Sequence, residues 1–264
     1  MRRAIGAFFG VLFASAVQAD GAVVRAADSL VLDGVSLHKQ NYILPLSYRN
    51  GQGNVDNMEF IYQFSAKIEA VFPRMYLAYT QVSFWDYLDS DNSKPFRETN
   101  YNPEVFYHFT NEFTPISRWD GMYLGLEHES NGEPLPTSRS WNRIYLWPYW
   151  SSDHGEYSLK LWYRLPEDRK TSPTDTQGDD NPDIHRYFGY AEFYFYRAKS
   201  NDSAFSGMVR GNPSTGKGAI QADYSWPLPN KDTYFFARIF SGYGESLIDY
   251  DQHVNRISIG LEFR

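Results

Sequence analysis

The sequence predicts an all-β fold, a twelve-stranded antiparallel transmembrane β-barrel, and three observations predict it. The 264 residues include 21 Tyr, 19 Phe and 7 Trp, 18% aromatic in all, yet these rings alternate with polar side chains instead of gathering in long apolar runs. Successive side chains of a strand point to opposite faces, so alternation gives one apolar and one polar wall, as in a barrel with lipid outside and a polar lumen within. Beyond the first residues, no segment approaches the ~20 apolar residues that a membrane helix needs. Finally, long polar connectors such as "DSDNSKP" and "EDRKTSPTDTQGDDNPD" are interspersed with tight turns such as "FPR" and "PNKD". Long outer loops and short periplasmic turns are the asymmetry of bacterial outer-membrane barrels.

The elements follow in order. The opening "MRRAIGAFFGVLFASAVQAD" has two arginines, an apolar run over 4–17 and the small-residue site Val17-Gln18-Ala19. This is the pattern of a secretory signal peptide over residues 1–19, leaving 20–264 as the barrel domain. The apolar run is too short to serve as a membrane anchor. Alternating segments then predict strands over 41–48, 58–71, 75–87, 99–110, 122–131 and 140–150, followed by 157–165, 185–199, 204–211, 218–228, 234–244 and 254–264. An even count suits a single-chain bacterial barrel. The absence of cysteine means that an exported chain is stabilised without disulfides, which a closed sheet in a membrane allows. A net charge of -7 argues against nucleic acid as a partner.

One stretch, "GLEHESNGEPLPTSRSWNRIYLW", carries chemistry. In the first strand of this pair His128 and Ser130 share parity with Met122, Leu124 and Leu126, the apolar set, and so face lipid. In the second, Asn142 shares its face with Ile144 and Leu146. A hairpin centred near Leu135 would bring all three together, although a long loop permits other registers. Polar groups on a lipid-facing wall are costly and point to function. A serine hydroxyl is a weak nucleophile until a histidine takes its proton, and that histidine needs a third group to fix its tautomer. Asparagine can accept the imidazole hydrogen bond without the desolvation cost of a carboxylate. The substrate of such a site would arrive laterally from the bilayer, as a lipid ester does.

At these residues the sequence resembles the outer membrane phospholipase A family. "HESNG" and "PTSRSWNR" resemble its active-site hairpin, and "PFRETNY", "DNPDI" and "SGYGESLIDY" match further blocks, so the resemblance covers most of the mature chain. It implies a calcium-dependent phospholipase of A1 and A2 activity, in the bacterial outer membrane, active as a homodimer. Ser130 would be the nucleophile, His128 the general base, Asn142 its orienting partner, and the Gly132 amide part of the oxyanion hole. Calcium (Ca2+) would be held by the Ser138 hydroxyl, the Glu133 carbonyl and the Ser93 carbonyl of a second copy, with a bound water completing the oxyanion hole. Glu133 stands where the family has a basic residue, and Leu135 where some members carry an acidic residue for a second calcium. Gln81, on the outward parity of its strand with Leu77 and Tyr79, resembles a polar residue of the dimer interface.

Two other classes fit parts of the pattern. A passive porin shares the strands, but its polar constellation should line the lumen. Another outer-membrane barrel hydrolase would converge acidic residues near the rim, and Glu127 and Glu129 are the candidates, although their odd parity points them inward.

Overall fold

The computed structural model describes residues 30–32, 34–50, 57–172, 174–229 and 232–264; the expected signal peptide lies outside them. A hairpin of β1 (Leu30–Leu32) and β2 (Val35–Leu37) leads into twelve longer strands. These are β3 (Asn41–Asn50), β4 (Met58–Glu69), β5 (Met75–Trp85), β6 (Phe96–Thr110), β7 (Gly121–Ser130) and β8 (Ser140–Ser152). They continue with β9 (Gly155–Arg164), β10 (Ala191–Ala198), β11 (Ala204–Asn212), β12 (Lys217–Pro227), β13 (Thr233–Gly242) and β14 (Val254–Phe263). Each pairs antiparallel with its sequence neighbours, and β14 returns to β3, from Asn255↔Asn50 to Phe263↔Asn41, so the sheet closes. Closure gives the barrel no free edge, which a sheet in hydrocarbon needs because no water is there to satisfy open backbone groups. The β1–β2 hairpin extends one end of the wall by pairing Val35 with Ile68 of β4.

The two faces are inverted relative to a water-soluble protein. Leu46, Phe64, Leu124, Ile220, Ile239 and Ile257 stand exposed on the outside, while Ser47, Ser65, Thr80, Glu104 and Glu127 are buried on the inside. An outer band of this kind is stabilised by lipid, and the buried polar groups answer one another across the lumen. Two irregularities adjust the wall. β3 bulges between Leu44 and Ser47, at Pro45, which has no N–H to give the ladder. β14 shifts register between Ile259 and Leu261, at Gly260, where an added Cβ would lie 2.0 Å from the Ile43 carbonyl oxygen.

The lumen is filled rather than open. Inward rings of Phe106, Tyr123, Trp141, Tyr145, Trp147 and Tyr149 form its apolar layers. Two ionic clusters lie beside them. In one, Glu59 pairs with Arg97 and Arg256, and Arg256 with Glu245. In the other, Glu104 and Glu127 are answered by Lys39, Lys160 and Arg143. A cavity of about 260 Å³ remains, with Gln40, Tyr42, Asp223 and Arg238 among its lining.

The expected strand over 185–199 is corrected: pairing begins only at Ala191, and His185–Phe188 is a single helical turn, α1. Ile184 and Phe188, four apart, are both buried, and Phe188 packs edge-on against Trp141, so this segment follows helical rather than alternating spacing. Gly189 ends the turn at φ 71, against the Gly211 carbonyl where a Cβ would lie 2.1 Å away. The blocks "DNPDI" and "SGYGESLIDY" thus close the mouth above the lumen. Asn181, Ile184, Ser246 and Leu247 are fully buried or nearly so, and Tyr250 donates its hydroxyl to Asp183 Oδ1 at 2.6 Å.

Candidate active site

The β7–β8 hairpin sets the geometry. Its register pairs His128 with Asn142 and Ser130 with Ser140, as expected for a turn centred at Leu135. Directly opposed residues share a face, so His128, Ser130 and Asn142 lie on the outer wall with the exposed Leu124, Leu126 and Ile144. His128 Nδ1 and Asn142 Oδ1 are 2.9 Å apart. Asn142 Oδ1 is an acceptor only, so the imidazole carries its proton on Nδ1 and leaves Nε2 free to act as a base. Asn142 Nδ2 in turn donates to Glu167 Oε1 at 3.0 Å.

The inward neighbours hold this strand in place. Glu127 is bound by Arg143 at 3.0 Å and Lys160 at 2.8 Å, and Glu129 accepts from Arg143 and Trp141 Nε1. Both acids are committed to the lumen and not to the outer cluster, so the acidic convergence of an alternative hydrolase is not formed by them. Pro103 of β6, which the register sets opposite His128, has no N–H, and the β6–β7 ladder skips from Tyr101↔Ser130 to Glu104↔Glu127. The His128 carbonyl accepts instead from Asn102 Nδ2 at 2.8 Å, while Lys39 Nζ donates to Asn102 Oδ1 at 2.7 Å.

The hairpin loop is organised by buried Asn131. Its Oδ1 accepts from Arg139 N at 2.9 Å, and its Nδ2 donates to the Thr137 carbonyl at 2.9 Å. Gly132 follows at φ 69, and a Cβ there would come 3.1 Å from the Tyr101 ring, so the position favours glycine on both counts. Beyond the loop, Ser138 Oγ donates to Asp180 Oδ2 at 2.7 Å, and Lys170 pairs with the other oxygen of Asp180. Asn181 Oδ1 accepts from Ser140 N at 3.0 Å. The "DNPDI" block is therefore tied to this hairpin through two neighbouring residues.

Ser138, Asp180 and the nearby loop carbonyls are oxygen donors of the kind a hard divalent cation takes. Among the described residues no three acidic or histidine side chains converge to hold a metal. A cation here would rest on hydroxyl and carbonyl oxygens, with one carboxylate already shared with Lys170. Ser93 lies in the 86–95 connection at φ 63, exposed. Gln81 is on the outer wall, in the transverse row Gln81↔Tyr101↔Ser130. It accepts from the Tyr79 hydroxyl at 3.0 Å and donates to Ser83 Oγ at 3.1 Å. Sequence parity puts His128, Ser130, Asn142 and Gln81 on the outer wall, and the strand register has them there. Parity missed Asn102, Glu167 and Asp180, and only the proline after Asn102 offered a local signal, as a break in the ladder.

A closed barrel with an apolar exterior and a polar, filled lumen is a bacterial outer-membrane protein. Residues 28–263 match the family model described as Phospholipase A1. The chain belongs to the phospholipase A1 family. It is 35% identical over 190 residues to "Phospholipase A1" of Escherichia coli K12, covering 70% of this chain and 60% of that protein. It is also 35% identical over 263 residues to "Putative phospholipase A1" of Neisseria meningitidis, covering 87% and 65%. The match thus spans less than two thirds of these relatives. Among solved structures, outer membrane phospholipase A from Escherichia coli superposes with a TM-score of 0.74 at 28% identity, over 86% of this chain and 93% of that one. The Salmonella typhi outer membrane phospholipase dimer with bound calcium gives 0.77 at 28% identity, over 90% and 94%. An active-site asparagine-to-alanine variant of the Escherichia coli protein gives 0.73 at 28% identity, over 85% and 90%.

Proposed function

We propose that this protein hydrolyses acyl ester bonds of phospholipids, of A1 and A2 type and of lysophospholipids, at Ser130, His128 and Asn142 on the lipid-facing wall. The observation that carries the reading is the 2.9 Å contact between His128 Nδ1 and Asn142 Oδ1, on the outer face and two residues from Ser130. Its support from relatives is the family membership and the active-site asparagine of the Escherichia coli variant.

His128 Nε2 takes the Ser130 proton as Oγ attacks the ester carbonyl, and the imidazolium that forms is stabilised by the Asn142 oxygen. The developing oxyanion is met by the Gly132 amide. The proton then passes from His128 to the leaving alcohol, and water, activated by the same base, releases the fatty acid. The Ser138 hydroxyl, the Glu133 carbonyl and Ser93 of the partner subunit would hold a calcium ion. That ion would supply positive charge to the oxyanion. The Salmonella typhi dimer supports both calcium and homodimer, with Gln81 placed on the outer wall where a second barrel would dock. A porin function is disfavoured by the filled lumen and by the outward placement of the cluster.

The experiment is fatty-acid release from phospholipid in detergent micelles, with calcium or a chelator, comparing the parent with Ser130→Ala, His128→Ala and Asn142→Ala. The first two should lose nearly all activity, and Asn142→Ala roughly 10- to 1,000-fold, with heat-modifiable gel migration unchanged. Substantial activity in folded Ser130→Ala would place the nucleophile elsewhere.

A further inference from the structure

The Asn142 carboxamide has two chemically different ends, and only one of them can serve His128. If it turned over, Nδ2 would face the Nδ1 proton, donor against donor, and the imidazole would lose its orientation. Something must decide which end faces the histidine. His128 does not settle it alone, because a neutral imidazole can meet either end by exchanging tautomers.

We propose that Glu167 is a positioning residue for catalysis, a fourth member of the relay that fixes the Asn142 amide; this rests on the Ser130–His128–Asn142 reading above. An ionised carboxylate accepts and never donates, so its 3.0 Å contact with Asn142 must be made by Nδ2. Oδ1 is then left facing His128 Nδ1, at 2.9 Å, and the proton is held on Nδ1. Tautomer and amide orientation both follow from one carboxylate, which never touches the reacting atoms.

The chain delivers Glu167 deliberately. Leu165 N donates to the Asn142 backbone carbonyl at 2.8 Å, carrying the β8–β9 pairing one step past the end of β9. Pro166 then fixes φ, and the half-buried Glu167 lies against the Asn142 side chain. Among the described residues Glu167 has no ion-pair partner. Three cations of the flanking segments are engaged elsewhere: Arg164 with Asp179, Lys170 with Asp180, and Arg143 with Glu127 and Glu129 inside the lumen. Its charge is thus directed through the amide toward the imidazole, where it favours the imidazolium of the transition state. Asparagine spares the lipid-facing wall a carboxylate next to the histidine, and the charge is kept one amide away, in the loop.

The test uses the full protein refolded in detergent with calcium, following phospholipid hydrolysis for Glu167→Ala, Glu167→Gln, Asn142→Ala and the Glu167→Ala/Asn142→Ala pair. Glu167→Ala should lower kcat about tenfold with KM little changed, a modest share of the roughly 10²- to 10⁴-fold that a positioned general base supplies. Glu167→Gln, which keeps an acceptor oxygen but no charge, should recover part of kcat. In both single variants the loss should fall on kcat, with KM within about twofold of the parent, since the carboxylate never touches substrate. The double variant should be no slower than Asn142→Ala alone. A role confined to holding the loop would give no recovery with Glu167→Gln over Glu167→Ala and let the two losses multiply. Either of those results, or a Glu167→Ala kcat within twofold of the parent while Ser130→Ala is inactive, overturns the positioning role and leaves the catalytic reading intact. An active, folded Ser130→Ala overturns both.

Discussion

Lys160→Met should destabilise the barrel by about 2–4 kcal/mol, and the figure follows from the ions it would leave behind. Lys160 is buried, with its ammonium 2.8 Å from Glu127 and 3.9 Å from Glu104, and 4.2 Å from the centre of the Tyr145 ring. The cluster balances Glu104, Glu127 and Glu129 against Lys39, Arg143 and Lys160. Removing one cation leaves an excess negative charge out of reach of bulk water, and breaking a buried pair in this way costs ~3–5 kcal/mol. Glu127 keeps Arg143 at 3.0 Å and Glu104 keeps Lys39, which lowers the expectation to the range above. Equilibrium unfolding in urea from phospholipid vesicles would measure it. Lys160→Met/Glu127→Gln restores the balance and should recover more than half of the loss. A single-variant cost below about 1 kcal/mol, or a double variant as weak as the sum of its parts, would refute the claim that these charges stabilise one another.

Other outcomes follow from the outer wall, the seam and the outer loops. Leu124→Arg, on the lipid face, should cost about 2–4 kcal/mol, whereas Leu88→Arg in the 86–95 loop should cost close to nothing; equal costs would contradict the placement of the bilayer. Gly260→Ala should cost about 2 kcal/mol or more, read from the same urea titration, because its Cβ would meet the Ile43 carbonyl at 2.0 Å and open the β3–β14 closure. Burial, with Glu59 alongside, pushes the Asp86 carboxyl up to about 6 from 3.8. The folded form therefore holds this proton more tightly than the unfolded form, and stability declines as pH rises from 3.8 to about 6. Asp86→Asn should be more stable than the parent at pH 7 by on the order of 1 kcal/mol, allowing for solvent screening, and equal to it near pH 4; an equal advantage at both would refute the assignment.

Alternation of side chains made the barrel and the outward cluster legible in the sequence, because a strand's period of two fixes which residues share a wall. Strand boundaries and the β7–β8 register followed for the same reason, with Leu135 at the turn centre. The segment at His185–Phe188 was not legible: its aromatic residues suit a strand, but Ile184 and Phe188 are buried together against the plug of the lumen, a tertiary demand that leaves no local mark. Glu167 was hidden for a related reason. It reaches Asn142 from 25 positions away, through a polar loop in which several other acids stand nearby in sequence. Spacing alone offers no way to choose among them.

The break in the ladder at Pro103 bears on how portable this chemistry is. With no backbone donor opposite it, the His128 carbonyl takes its partner from Asn102, whose own amide is braced by Lys39 within the lumen. The wall is one backbone thick, so the strand that presents the histidine to lipid is gripped from the lumen side. Copying His128, Ser130 and Asn142 on to the outside of another barrel would transfer the visible groups without this grip. A successful transplant would have to carry the proline, Asn102 and their lumen partners as a single inheritable unit.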